Sequence, residues 1–179
     1  MKKIRIIALL LAICSNQSRL CSAQSPDILF QKCFGGTGGE VFNTVRALFD
    51  SSFVIGGYTT SLDGDVTGNH GQADLWLVKT DSLFNLKWAR CYGGSDLEWP
   101  PSTLVIDNLN YYVTCATYSI DGDITNHYGD LDIWLVKTDT SGSIVWQKNF
   151  GGGGSDALVD QINVGSRLIG VSQTSSYNH

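Results

Sequence analysis

The chain is short of positive charge, of charge altogether and of long apolar runs. Its 12 Lys and Arg face 17 Asp and Glu, a formal net charge of −5, which excludes the basic footprint of a nucleic-acid binder. Charged residues make up only 16% against 42% hydrophobic, so the composition is not that of a disordered acidic tail. The apolar run Ile6 to Ile13 falls far below the roughly 20 residues a membrane-spanning helix needs. No segment sustains a helical period, and 20 glycines with three prolines imply frequent turns. The fold class expected is all-β.

Met1-Lys2-Lys3 and Arg5 precede that apolar run, and Cys21-Ser22-Ala23 supplies small residues for cleavage. Residues 1–23 therefore read as a signal peptide and 24–179 as the exported chain. A lipoprotein signal would use Leu11-Ala12-Ile13-Cys14, but Ile13 is bulky where a small residue is wanted. Loss of Lys2, Lys3, Arg5 and Arg19 leaves eight basic residues against 17 acidic, a charge of −9. Cys14 and Cys21 go with the leader. The remaining Cys33, Cys91 and Cys115 are an odd number, which cannot complete a disulfide framework, and buried small hydrophobe is the expectation for them.

What the sequence does have is a repeat. Phe30-Gln31-Lys32-Cys33-Phe34-Gly35-Gly36 is answered by Trp88-Ala89-Arg90-Cys91-Tyr92-Gly93-Gly94 and by Trp146-Gln147-Lys148-Asn149-Phe150-Gly151-Gly152, at a spacing of 58. Asp63 to Asp81 and Asp121 to Asp139 are identical at 12 of 19 positions, both ending in Trp-Leu-Val-Lys-Thr-Asp. The copies run over 30–87, 88–145 and 146–179 with no gap between them. The third stops at His179, opposite Asp63 of the first, before its long loop and last strand.

Each copy is expected to form four strands, in the first copy Ile28 to Phe34, Val41 to Phe49, Ser52 to Tyr58 and Asp74 to Thr80. The second and third pair through the short Asp50-Ser51 turn, replaced by Asn108 and its neighbours in the next copy. Trp76 and Trp134 lie in near-continuous apolar strands that should be buried on both faces. Four-stranded antiparallel sheets at a fixed period are the units of a β-propeller. The sequence thus predicts a propeller-type array of two complete blades and one partial.

The succession of a Trp-Gln-Lys strand, Gly-Gly, an Ile-Gly-Gly-Tyr-Thr strand, Asp-Gly-Asp and Asp-x-Trp-Leu-Val-Lys resembles a propeller-like repeat family of secreted and surface proteins from gliding Gram-negative bacteria. The resemblance covers residues 30–179. It implies export, often ahead of a type IX sorting domain; because a closed propeller needs about 4 to 8 blades and this chain supplies two and a partial third, a fragment of a longer exoprotein is expected. Some members bear endoglucanase names, but a shared fold is not a site.

Asp63, Asp65, Thr67, Asn69 and Asp74 stand at positions 1, 3, 5, 7 and 12 of a calcium-type loop with Gly68 at position 6, and Asp121, Asp123, Thr125 and Asp132 repeat most of it. The rival account is that these acids cap turns through their own backbone. A glycoside hydrolase would need two carboxyl groups in different environments. The only glutamates, Glu40 and Glu98, recur at the repeat spacing with Asp156 in third place, as scaffold residues would. His70, His127 and His179 do not align, and spacing suggests no catalytic triad. Gly151-Gly152-Gly153-Gly154 follows a strand without the Lys-Ser/Thr of a phosphate loop. Trp99 and Tyr118 are unrepeated aromatics for which core packing is expected and sugar stacking is the alternative. The expected function is that of a secreted, non-enzymatic scaffold or binding module for a protein or polysaccharide. The alternative is a remnant of a carbohydrate-active exoprotein.

Overall fold

Strand-forming residues and turn chemistry alternate through the computed structural model, which describes residues 31–107, 109–164 and 167–176. The proposed leader, Cys14, Cys21, Phe30, Asn108 and His179 lie outside the described residues. Lys32–His179 forms one compact unit. Its strands are β1 (Glu40–Ala47), β2 (Phe53–Thr59), β3 (Asp74–Thr80), β4 (Leu86–Tyr92), β5 (Thr103–Ile106), β6 (Asn110–Thr117), β7 (Asp132–Asp139), β8 (Ile144–Phe150), β9 (Asp156–Val164) and β10 (Arg167–Thr174). They make three antiparallel sheets, β1-β2-β3-β4, β5-β6-β7-β8 and β10-β9. Among the described residues there is no helix, none therefore long and apolar enough to cross a membrane, and no sheet closes on itself.

The sheets are out of phase with the sequence copies by one strand. The Trp-x-x-Cys-Tyr strand that opens the second copy is β4, and it pairs with the Trp76 strand of the first. β8 does the same for β7. Residues 31–34, expected as a strand, are not one. In the other copies this segment is held by the tryptophan strand before it, and no described strand precedes 31–34.

The turns follow their side chains. Asp50 Oδ1 accepts from the Ser52 amide and hydroxyl, the Ser51 amide donates to Leu48 O, and Ser51 takes a left-handed φ of 63°. Asp81 accepts from the Leu83 and Asn85 amides, and Asp139 from those of Ser141 and Ser143. Gly142 has φ 81° in the second of these turns. Its counterpart Phe84 reaches φ 59° with its ring stacked on Phe53. Such a conformation is costly for a bulky residue.

Period-2 alternation places Leu75 and Leu77 on one face of β3 and Trp76 and Val78 on the other, and all four are buried. Val54, Leu75, Leu77 and Tyr92 of the first sheet pack with Leu104, Val113, Cys115, Trp134 and Val136 of the second. Trp76, Val78, Ile55, Val66 and Cys91 form a second cluster on the opposite face, with Phe34 against it. Trp134 Nε1 donates to Gln147. The equivalent of Gln147 is Ala89, and Trp76 Nε1 is buried without a partner. β5 is only four residues long because Pro100 and Pro101 fall where β1 carries its bulge after Phe42, and proline cannot donate to a sheet ladder.

The third copy is offset by one residue. Glu40 stands opposite Thr59 and Glu98 opposite Thr117, both 19 residues on, whereas Asp156 stands opposite Thr174, 18 on. The β9–β10 hairpin is therefore one residue shorter than its counterparts, which breaks the ungapped repeat expected from the sequence.

Candidate functional site

The first two Gly-Gly turns are each gripped by a pair of acids from their own repeat. In the first, Asp63 accepts from the Thr37 amide (2.7 Å) and hydroxyl (3.0 Å), and Asp65 from the Gly35 amide (3.2 Å). In the second, Asp121 accepts from the Ser95 amide (2.7 Å) and Asp123 from the Gly93 amide (3.2 Å). The backbone seals the contact, Asp65 N donating to Gly35 O and Asp123 N to Gly93 O. Gly64 and Gly122 between the acids have φ of 69° and 66°, and a Cβ on either would stand 2.3 Å from the opposing glycine carbonyl oxygen. Asp-Gly-Asp is thus a clasp whose glycine is required twice, for its left-handed backbone and for close approach.

The recurring acids Glu40, Glu98 and Asp156 sit one at each of the three Gly-Gly turns. Glu40 accepts from the Thr59 and Ser61 hydroxyls. Glu98 accepts from the Thr117 hydroxyl at 2.6 Å and the Gly94 amide at 3.1 Å. Asp156 accepts from the Ser176 hydroxyl at 2.7 Å and the Gly152 amide at 2.9 Å. Glu98 is 0% exposed, as are Asp74 and Asp132 at the start of β3 and β7. Asp74 Oδ1 and Asp132 Oδ1 have no hydrogen-bond partner. Gly93 separates Glu98 from Asp74, since a Cβ there would lie 2.0 Å from Glu98 Oε2 and 2.9 Å from Asp74 Oδ1. Gly151 stands in the same way between Asp132 and Asp156. Burial, with the Asp74 charge adding to it, pushes Glu98 up to about 7, and burial also raises Asp74. Each pair of acids is a buried node where one sheet meets the start of the next.

The remaining predicted loop residues go to different partners. Asn69 donates to Ser61 O and accepts from the Gly71 amide. Asp74 accepts from the His70 amide and lies 2.6 Å from His70 Nδ1. Asp132 accepts from the Tyr128 amide, with His127 Nδ1 at 3.5 Å. Thr125 accepts from Gln147, and Thr67 lines an open cleft beside His70, Trp88 and Asp123. Asp63 and Asp65 are brought together on the Gly-Gly turn, as are Asp121 and Asp123. Among the described residues no group of three or more His, Cys, Asp or Glu is placed to hold a metal ion.

Spacing alone missed the His–Asp pairs, although a histidine four or five residues before a buried aspartate is a readable signal. Among the described residues no Ser, Thr or Cys side chain is hydrogen-bonded to either imidazole. Cys33, Cys91 and Cys115 are free thiols. Cys91 and Cys115 are buried as expected, burial pushing Cys91 up to about 12 and Cys115 well above its ordinary value. Cys33 departs from that expectation in being exposed.

Two open features remain. A cleft of about 690 Å³ is lined by Arg46, Phe49, Asp50, Lys79 and Asp107 among others, with Phe49 almost wholly exposed. Asp50 is held low by its Ser52 hydrogen bonds, and Asp107 is low because bonds from Leu109, Asn110 and Tyr112 outweigh its burial. Trp99 and Tyr118 flank the Glu98–Thr117 bridge and are 49% and 37% exposed, so the expectation that they pack in the core is not met. No family model matches the chain, and no curated protein is significantly similar to it.

Proposed function

We propose that the chain is a secreted, non-enzymatic propeller-type repeat protein, a scaffold whose exposed loops bind a polymer. The first strands of the three sheets touch in succession, β1 with β5 and β5 with β9, which supports a radial arrangement of blades. The leader and the repeat-family resemblance support export.

One observation carries the non-enzymatic reading. General acid catalysis at a sugar bond needs a carboxyl that keeps its proton and faces the substrate. The carboxyls raised here, Glu98 and Asp74, are sealed from solvent, while Asp50 and Asp107, which line the large cleft, are held low. The exposed aromatics Trp99 and Tyr118 favour a polysaccharide as the polymer, since an aromatic face stacks on a sugar ring.

Incubation of the full chain with soluble and insoluble polysaccharides tests this. The expected result is no release of reducing ends, with retention on at least one polymer that is lost in the double variant Trp99→Ala, Tyr118→Ala. Hydrolysis that disappears in Glu40→Gln or Glu98→Gln would sink the proposal.

A further inference from the structure

β10 is the third instance of a strand that is central in the other two sheets, yet β9 is its sole partner among the described residues. The acid–threonine pairs set the equivalence, with Thr174 answering Thr59 and Thr117. Ser172 then answers Gly57 and Cys115, and Gly170 answers Ile55 and Val113. On the far side of β2 and β6 runs a strand of pattern Asp-x-Trp-Leu-Val-Lys-Thr in one fixed register. Its Asp lies opposite the threonine, Thr59 with Asp74 and Thr117 with Asp132. Its Trp lies opposite the small residue, Gly57 with Trp76 and Cys115 with Trp134.

The internal junction shows how that Trp is held. Trp134 is packed in one cluster with Leu75, Leu77 and Tyr92 of the preceding sheet and Cys115 of its own. Moved on by one repeat, these are Ile133, Leu135, Phe150 and Ser172. The same four residues line a groove of about 280 Å³ between the second sheet and β10, with Leu158, Leu168 and Gly170. Phe150 at this groove is 42% exposed, against 4% for its counterpart Tyr92. Ile169 and Val171 of β10 are half exposed, whereas β2 and β6 are mostly buried.

We infer that the outer edge of β10, with this groove beside it, is an acceptor for a β-strand of the pattern Asp-x-Trp-Leu-Val-Lys-Thr. The incoming strand adds antiparallel to β10 with its Asp opposite Thr174. Its Trp crosses Ser172 and fills the groove among Ile133, Leu135 and Phe150. The backbone edge supplies affinity and the groove supplies selection for Trp, the division of labour of β-strand addition. Continuity with the β2–β3 and β6–β7 pairings is what commits the surface to this partner.

The probe is a fluorescent synthetic peptide with the sequence of residues 130–150, which carries the β7 pattern and its outer strand, titrated with the full chain. Saturable one-to-one binding is expected, weakened at least about tenfold when the peptide's Trp134 is changed to Ala, the scale of one buried aromatic anchor. Ser172→Trp in the protein fills the groove at an exposed position and is expected to block binding with its unfolding transition unchanged. Equal affinity of the Trp and Ala peptides, equal binding by Ser172→Trp, or no saturable binding overturns the inference. So does concentration-dependent self-association that Ser172→Trp abolishes while the peptide does not bind, which would make the face a contact between copies of the chain.

Discussion

Trp134→Ala is expected to remove about 3–5 kcal/mol of stability, the cost of emptying a large buried aromatic site. Trp134 is fully buried, and its neighbours come from both four-stranded sheets. Truncation therefore opens a cavity where two sheets meet, and the surrounding strands cannot collapse into it without breaking their own pairings. It also strands the Gln147 side chain, which accepts from Trp134 Nε1 at 2.8 Å. Trp146 in β8 is the internal control. It is 40% exposed and meets Tyr112 edge-on, so Trp146→Ala should cost about 1 kcal/mol. Since domains carry roughly 5–15 kcal/mol in total, the first variant should unfold at much lower urea concentration than the second. Equal midpoints would mean that the sheet-to-sheet core does not carry the fold.

Glu98 should give the stability curve a slope opposite to that of most carboxylates. The unfolded chain releases the Glu98 proton near its ordinary 4.5, whereas the folded chain keeps it up to about 7. Between those values the folded state binds more protons, so stability falls as pH rises and levels off above the folded value. At about 1.4 kcal/mol per unit of pKa, the loss across this window is roughly 3 kcal/mol. The cause is burial first, opposed by bonds from Thr117, Ser119 and Gly94, with the Asp74 charge adding to the rise. Asp74 faces His70 and Asp123, and its own raised value contributes a slope of the same sign. Glu98→Gln keeps an acceptor for Thr117 but cannot ionise. Chemical denaturation at intervals from pH 5 to 8 should show the wild type losing stability up to about pH 7 and levelling off above it, with the variant losing markedly less. Parallel curves would mean that the Glu98 carboxyl stays ionised in the folded protein.

The strands were legible because alternation and turn residues are local. Leu75 to Val78 show both faces of a buried strand, and Asp50-Ser51 shows its turn. What the residues could not show was which sheet a strand joins. β4 carries the opening motif of the second copy, yet its hydrogen bonds reach back to β3, and a repeat is equally regular in either phase. The one-residue offset of the third copy was hidden because its anchors, Asp156 and Thr174, differ in type or spacing from Glu40 and Thr59. The acidic loop was ambiguous for a chemical reason. Oxygens at every second residue suit a hard cation and suit backbone amides equally well. Only the position of the Gly-Gly turn, some 27 residues earlier in the chain, tells which donors Asp63 and Asp65 meet. Trp99 and Tyr118 looked like core because large aromatics usually are. Their exposure follows the repeat position, since Val41 and Thr60, their counterparts in the first copy, are exposed as well.

The central claim is that Asp-Gly-Asp holds the first two Gly-Gly turns directly, and calorimetric unfolding of the full chain with calcium and with chelator tests it most directly. A ligand bound only by the folded state must raise the melting temperature. The account predicts one cooperative transition at the same temperature in both conditions. It also predicts that the double variant Asp63→Ala, Asp121→Ala melts lower by an equal amount with and without calcium. A wild-type transition that rises with calcium, and a double variant that loses that rise, would contradict it and make the loops metal sites.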